Sequence, residues 1–201
     1  MIISMAALKG GVSKTTSAVH LAEYLQAKDS TLLVDADGNQ TALKWAAQNK
    51  LKFKTVSLDA FPKYAGKYVH TIIDTQARPQ ADQLADISEG CDLLVLPTSP
   101  NFADVDALLD TAAILSKVNA NFKVLFTLVE PGRGGKLNGE LLDAQEVLSE
   151  EKIPFFQSFI PRLRCVARSI RDGVTVKTYN DPLAKKVWQA YQKVGREILN
   201  G

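Results

Sequence analysis

Apolar positions along the chain fall into short unbroken runs, separated by longer stretches in which they recur every three or four residues. Ile2–Leu8, Thr31–Asp35, Val69–Asp74, Asp92–Leu96 and Phe122–Val129 are runs of the first kind and read as strands buried on both faces. Pro97 is expected to close the fourth of them. Phe53–Leu58 alternates apolar with polar, which suits an edge or half-buried strand, and Phe155–Ile160 reads as a short strand ending at Pro161. Helical spacing marks Lys14–Ala27, Thr41 to about Gln48, Phe102–Lys117, Leu137–Glu150 and Pro182–Leu199. In the last of these Val187, Tyr191, Val194 and Ile198 form one stripe. Strand and helix alternate throughout. The pattern predicts an α/β fold with three layers: a mostly parallel, twisted sheet with helices on both faces.

The 201 residues suffice for one domain spanning 1–201, with no repeat, linker or low-complexity segment. Only Pro131–Lys136 (PGRGGK) is dense in chain breakers, and it reads as a plain surface turn or a mobile loop. Apolar residues make up 46% and charged residues 23%, the balance of a soluble globular chain. Cys91 and Cys165 are far apart in sequence, which excludes a disulfide framework and a zinc ribbon and favours a reducing cytoplasm. No apolar run approaches the roughly 18 residues that a membrane span needs, and the first residues lack the basic start of a signal peptide. The net charge of +2 conceals an asymmetry. Residues 1–151 hold 14 Lys+Arg against 19 Asp+Glu, a net −5, whereas residues 152–201 hold 10 against 3, a net +7. A basic C-terminal quarter points to a polyanionic partner.

Between the first strand and the first helix lies Leu8-Lys9-Gly10-Gly11-Val12-Ser13-Lys14-Thr15-Thr16. A loop at that junction aims consecutive backbone N–H groups, and the positive end of the helix dipole, at one anion. Gly10 and Gly11 permit a tight turn and close approach to phosphates. Lys14 is placed to reach the β- and γ-phosphates of a nucleotide and Thr15 to ligate Mg2+. Asp35 and Asp37 end the second strand and Asp74 ends the Val69–Asp74 strand. In an open α/β sheet these ends lie beside the phosphate loop, so carboxylates and loop together predict a Mg-nucleotide site.

The loop departs from GxxxxGK[ST], because Leu8 and Ser13 replace both flanking glycines. It fits KGGxxK[ST] instead, and here the chain resembles the ParA/MinD family of deviant Walker-box P-loop ATPases. DADGNQTALKW, DTQARP, LPTSPNFADVDAL and IPRLRCVARSIRDGVTVKTYNDPLAKK extend the resemblance over most of the chain, with Gly38, Asn39 and Gln76 replacing commoner residues. Ser13 stands where the family most often has glycine and is expected to perturb nucleotide affinity without abolishing it.

The resemblance implies a set of roles. Lys9, Gly10, Gly11, Val12, Ser13, Lys14, Thr15 and Thr16 bind nucleotide, and Pro161 packs against adenine. Asp74 is the Walker B aspartate, which with Thr15 and Asp35 serves the metal. Asp37 orients the attacking water. Lys14 assists hydrolysis, and Lys9 reaches the nucleotide of a second subunit. It further implies ATP and Mg2+ as cofactors, a homodimer when ATP is bound, and a ParB-like adaptor that stimulates slow hydrolysis. Non-specific DNA binding is implied for Arg162, Arg164, Arg168, Arg171, Lys185 and Lys186. Neutralising about five phosphates would cost such binding roughly 500-fold in affinity between 50 and 200 mM salt.

The expected cargo is a low-copy plasmid or a protein organelle such as a carboxysome, and the expected place is a bacterial cytoplasm, on the nucleoid. The phosphate loop begins at residue 9, leaving no room for an N-terminal helix-turn-helix, so operator-specific repression is not expected. A MinD-like membrane-associated ATPase is the alternative, disfavoured because the chain stops directly after its last helix. An iron-protein role is disfavoured by the cysteine placement, and a scaffold without hydrolysis by Asp37 and Asp74.

Overall fold

The computed structural model describes residues 1–7, 9–132, 134 and 136–200. Leu8, the expected end of the first strand, and Arg133 and Gly135 of the breaker-rich loop lie outside the described residues. Six parallel strands form one sheet in the order β3-β2-β4-β1-β5-β6. They are β1 Ile2–Ala7, β2 Thr31–Asp35, β3 Lys54–Ser57, β4 His70–Ala77, β5 Leu93–Thr98 and β6 Phe122–Phe126. The helices are α1 Lys14–Gln26, α2 Thr41–Ala46, α3 Ala81–Glu89, α4 Phe102–Lys117, α5 Gly139–Glu150, α6 Arg164–Arg171 and α7 Pro182–Leu199, with a 3-10 segment at Leu58–Lys63.

Side chains alternate across each strand, so a strand apolar at every position supplies two cores. Ile3, Met5, Leu33, Val95 and Leu125 face one core with α1, α2 and α7. Ala6, Leu94, Leu96, Val124 and Phe126 face the other, with α3, α4 and α5. Each such large side chain, once fully buried, contributes about 1.5–3 kcal/mol of hydrophobic stabilisation. The α1–α7 contact is close because position 195 has no side chain. A Cβ on Gly195 would overlap the ring of Tyr24.

Four expectations need correction. Pro97 does not close β5, which runs to Thr98. The Leu94 N–H faces β6, donating to the Asn121 carbonyl, so the position of the missing Pro97 N–H faces β1. There the β1–β5 register ends at Val95, and no ladder bond is lost. Second, Phe155–Ile160 is not a ladder strand. It meets β6 through the isolated bridge Val124–Phe155 and a bond from the Ile160 N–H to the Phe126 carbonyl, and beyond β6 Val129 bridges Pro161, while Glu197 accepts the N–H groups of Gln157 and Ser158. Third, β6 stops at Phe126 rather than Val129, because Leu128 turns into the left-handed region at φ 55°. Fourth, α3 and α6 formed where no helix was expected. Gln80 and Gln83 cap α3 reciprocally.

The sheet order places the chemistry. β4 lies between β2 and β1, and Asp35 pairs in register with Asp74, so both acids reach the carboxyl edge at one level. The phosphate loop leaves β1 at the same edge, with β4 beside β1 on one side and β5 on the other.

Candidate functional site

The loop after β1 bends through Gly11 at φ 85°, a conformation that glycine adopts without strain. Ser13 follows at φ 63°, ψ 28° and opens α1, its carbonyl accepting from the Ser17 N–H at 2.8 Å. No side chain caps this helix and its first turn carries no acid. The first N–H groups and the positive dipole end therefore face the loop's mouth unneutralised, the arrangement that holds an anion.

Lys14 is 7% exposed and turns toward β4. Its Nζ donates to Asp74 Oδ1 at 2.6 Å and to the Thr75 carbonyl, and lies 3.6 Å from Asp37 Oδ2. Asp74 is fully buried. Burial pushes its carboxyl above the usual range, and the Asp35 charge adds to this. The Lys14 ammonium and the Thr15 hydroxyl work against the rise. Among the described residues no donor meets Asp74 Oδ2 with hydrogen-bond geometry. A buried, unsatisfied carboxylate oxygen beside a threonine hydroxyl is a hard-oxygen environment that fits hydrated Mg2+. Among the described residues no three His, Cys, Asp or Glu side chains converge on a metal by themselves.

Asp35 is bound into its own turn. Its Oδ1 accepts from the Asp37 N–H at 3.1 Å and its Oδ2 from the Leu43 N–H at 2.9 Å. Both oxygens help to shape the turn from β2 into α2, and through this turn Asp35 positions Asp37. Asp37 Oδ1 in turn accepts from the Asn39 N–H at 2.9 Å, leaving Oδ2 toward Lys14.

Beside Ser13 and Thr16 opens a cavity of about 620 Å3, walled by Pro161, Leu163, Val166, Ile170 and Tyr191. Pro161 is held there because Val129 donates to the Ile160 carbonyl and accepts from the Arg162 N–H. The apolar wall next to the phosphate loop suits a planar base. Gly10, Gly11 and Val12 line a smaller space of about 260 Å3 with Lys9, on the β5 side.

Lys9 leaves the loop on the side opposite to Lys14. Its Nζ donates to Asp104 Oδ1 at 2.6 Å and to the Ala103 carbonyl at 3.1 Å, at the start of α4.

The six basic residues expected to touch DNA are divided by the fold. Arg162 and Arg164 line the cavity beside Ser13, and Arg162 lies 3.3 Å from Glu130. Arg168 and Arg171 continue the exposed face of α6. Lys185 and Lys186 are exposed on α7. Lys186 lines a separate groove of about 630 Å3 with Lys193, Arg196, Gln157 and Gln189, and Lys123 extends it beyond Lys193 and Arg196.

Three residues that sequence reasoning passed over shape the site. Thr127 is fully buried and its Oγ1 donates to the Val12 carbonyl at 2.9 Å, tethering the phosphate loop to the end of β6. Asp104 holds Lys9. His20, on α1, stacks on Tyr191 with ring centroids 4.6 Å apart. Its Nδ1 lies 2.7 Å from the Thr16 carbonyl, and its Nε2 accepts from the Val176 N–H at 3.0 Å. The only signal for Thr127 and His20 was a polar residue inside an apolar context.

Comparison with known proteins agrees with this geometry. The sequence profile of the CobQ/CobB/MinD/ParA nucleotide binding domain matches residues 3–176. The chain is 32% identical over 199 residues to a maintenance of carboxysome distribution protein A from Gloeobacter kilaueensis, covering 94% of this chain and 90% of that protein. Its fold superposes on a plasmid partition protein of Borrelia burgdorferi bound to AMPPNP, with TM-score 0.72, 18% identity, and coverage of 99% and 98% of the two chains. It also superposes on an ATP complex of a McdA variant from Cyanothece, with TM-score 0.75, 14% identity and 96% of each chain covered. The chain belongs to the CobQ/CobB/MinD/ParA family of nucleotide-binding ATPases.

Proposed function

We propose that this chain is a ParA-type positioning ATPase: two copies close on two ATP molecules, bind DNA without sequence preference, and part when a ParB-like adaptor speeds hydrolysis. The observation that carries this reading is the opposite placement of the two loop lysines. Lys14 leans to the β4 side, into the acids that serve phosphate, metal and water. Lys9 leans to the β5 side, where its side chain is 43% exposed and the neighbouring Phe102 is 85% exposed. A cation and an unburied aromatic beside a phosphate loop suit a surface that a second protomer covers.

Hydrolysis then rests on positioning and charge. The N–H groups of the loop and Lys14 hold the β- and γ-phosphates. Mg2+, when bound beside Thr15 and Asp74, supplies charge neutralisation on the phosphates. Asp37, oriented by Asp35, holds the attacking water in line. Burial of this chemistry between protomers makes turnover depend on the pair.

DNA binding is assigned to the basic C-terminal quarter, in which Lys186, Lys193 and Arg196 share one groove. Contacts to phosphates alone give affinity without base reading, and pairing two protomers doubles a patch that is weak singly. The relatives named above favour a low-copy cargo, a plasmid or a carboxysome-like body, in a bacterial cytoplasm. No helix among the described residues is long and apolar enough to cross a membrane.

The test is retention on non-specific DNA with ATP, using wild type, Asp37→Ala and Lys9→Ala. Asp37→Ala is expected to be retained as a trapped dimer, and Lys9→Ala to remain monomeric and pass through. Retention of Lys9→Ala as a dimer would overturn the reading. Retention on anionic liposomes instead of DNA would favour a membrane-associated ATPase.

A further inference from the structure

We propose that Asp104 is a latch: it holds Lys9 within its own protomer, and the release of this lysine sets the nucleotide threshold for pairing two copies. The inference rests on the two-copy reading above and adds a residue that the family resemblance did not assign.

The clamp is built before the lysine arrives. Asp104 Oδ2 accepts from Ser99 Oγ at 2.6 Å and from Asn101 Nδ2 at 3.0 Å, and Asn101 and Ser99 bond each other. The Asn101 side chain also accepts from the Asp104 N–H at 3.0 Å, capping α4. The carboxylate is thus fixed in the first turn of a 16-residue helix, where the dipole favours negative charge. Only Oδ1 remains for Lys9, at 2.6 Å. Burial opposes ionisation of Asp104, but the bonds from Lys9, Ser99 and Asn101 outweigh it and hold the carboxyl below its usual range.

An ordinary surface ion pair loses much of its value to the ordering of two long side chains. Here one end is already ordered, and Asp104 is only 11% exposed. An ammonium has three donors, and Lys9 places two of them on Asp104 and the Ala103 carbonyl. A Lys9 that crosses to a partner's phosphate must leave both. Holding it therefore competes with pairing, and a closed pair requires two releases. A factor of about fivefold per latch, the upper range for such pairs, multiplies to about 25-fold in the pairing constant.

The experiment measures protomer pairing by light scattering at saturating AMPPNP for wild type, Asp104→Asn, Asp106→Asn and Lys9→Ala. Alongside it, labelling of Lys9 by an amine-reactive ester is followed by mass spectrometry on nucleotide-free protein. Asp104→Asn keeps the side-chain shape and is expected to pair about 10- to 25-fold more tightly and to expose Lys9 to faster labelling. Asp106→Asn, an exposed acid on the same helix, removes the same charge and is expected to change neither. Unchanged or weaker pairing of Asp104→Asn, or unchanged labelling, overturns the latch. Tighter pairing of Asp106→Asn to the same degree also overturns it, because general charge then explains the effect. If Asp104→Asn does not fold, Ser99→Ala, which loosens the clamp without touching either charge, carries the same expectation at smaller size. The two-copy reading fails separately, and only if Lys9→Ala still pairs.

Discussion

The hydroxyl of Thr127 donates to the carbonyl of Val12 at 2.9 Å, so the end of β6 reaches across the sheet's edge and pins the middle of the phosphate loop. The Thr98 carbonyl lies 3.2 Å from the same oxygen, and the bond is fully enclosed. A loop that must present several N–H groups to one phosphate gains affinity when its shape is set beforehand. Thr127→Val preserves volume and removes the donor. We expect a loss of about 1–2 kcal/mol in stability from the unsatisfied carbonyl and a roughly three- to tenfold weaker AMPPNP affinity by calorimetry. Unchanged affinity in a folded variant would show that the loop holds its shape without this tether.

Ser13 occupies a left-handed conformation at φ 63° that costs an L-residue about 1 kcal/mol. Ser13→Gly removes that strain and adds about half as much unfolded-chain entropy. The net expectation is a rise of about 1–3 °C in melting temperature, with ATP binding retained. Loss of ATP binding in this variant would contradict the reading of Ser13 as a tolerated departure.

His20 predicts a dependence of stability on acid. Burial lowers its pKa from 6.5 to about 4, while its bond to Thr16 pulls the other way. The neutral ring donates from Nδ1 and accepts at Nε2 from Val176, so protonation would set two donors against each other. The unfolded chain takes up the proton first. Stability is therefore full above about pH 6.5 and falls as the pH drops toward 4, by about 3 kcal/mol in all. Asp104, with a lowered carboxyl pKa, releases its own contribution only below this window. Urea unfolding at pH 7, 6, 5 and 4.5 should show this slope in wild type and a shallower one in His20→Gln, where His70, its pKa also lowered by burial, still contributes. Parallel slopes would remove His20 as the cause.

The groove beside α7 separates two accounts of DNA binding. If Lys193 and Arg196 each neutralise one phosphate, Lys193→Ala with Arg196→Ala lowers the slope of log affinity against log salt by about two. Arg162→Ala, in the cavity next to Ser13, is expected to leave that slope unchanged. The reverse result would place the polyanion on the nucleotide side of the molecule.

Much of this was legible in the sequence. Doubly apolar runs announced parallel strands because burial on both faces leaves no polar alternation. KGGVSKT between a strand and a helix announced a phosphate site, because that junction alone brings free N–H groups and a lysine together. α6 was not legible. Its eight residues carry Arg164, Arg168 and Arg171, and the side that packs is short, with Cys165 and Ser169 buried and Val166 and Ile170 against the core. Phe155–Ile160 looked like a strand because periodicity reports burial and not which backbone groups pair.

The sequence by itself determined the alternation of strands and helices, the two-sided cores and the chemical identity of the phosphate loop, because each rests on neighbours within a few residues. Only the tertiary structure decided that Asp35 supports Asp37, that Thr127 steadies Val12, and that Lys14 and Lys9 part to opposite sides of β1 toward Asp74 and Asp104. Those partners are 60 and 95 positions away in sequence. Their meeting follows from strand order, which places β4 on one side of β1 and β5 on the other, and strand order is a property of how the whole sheet buries its faces.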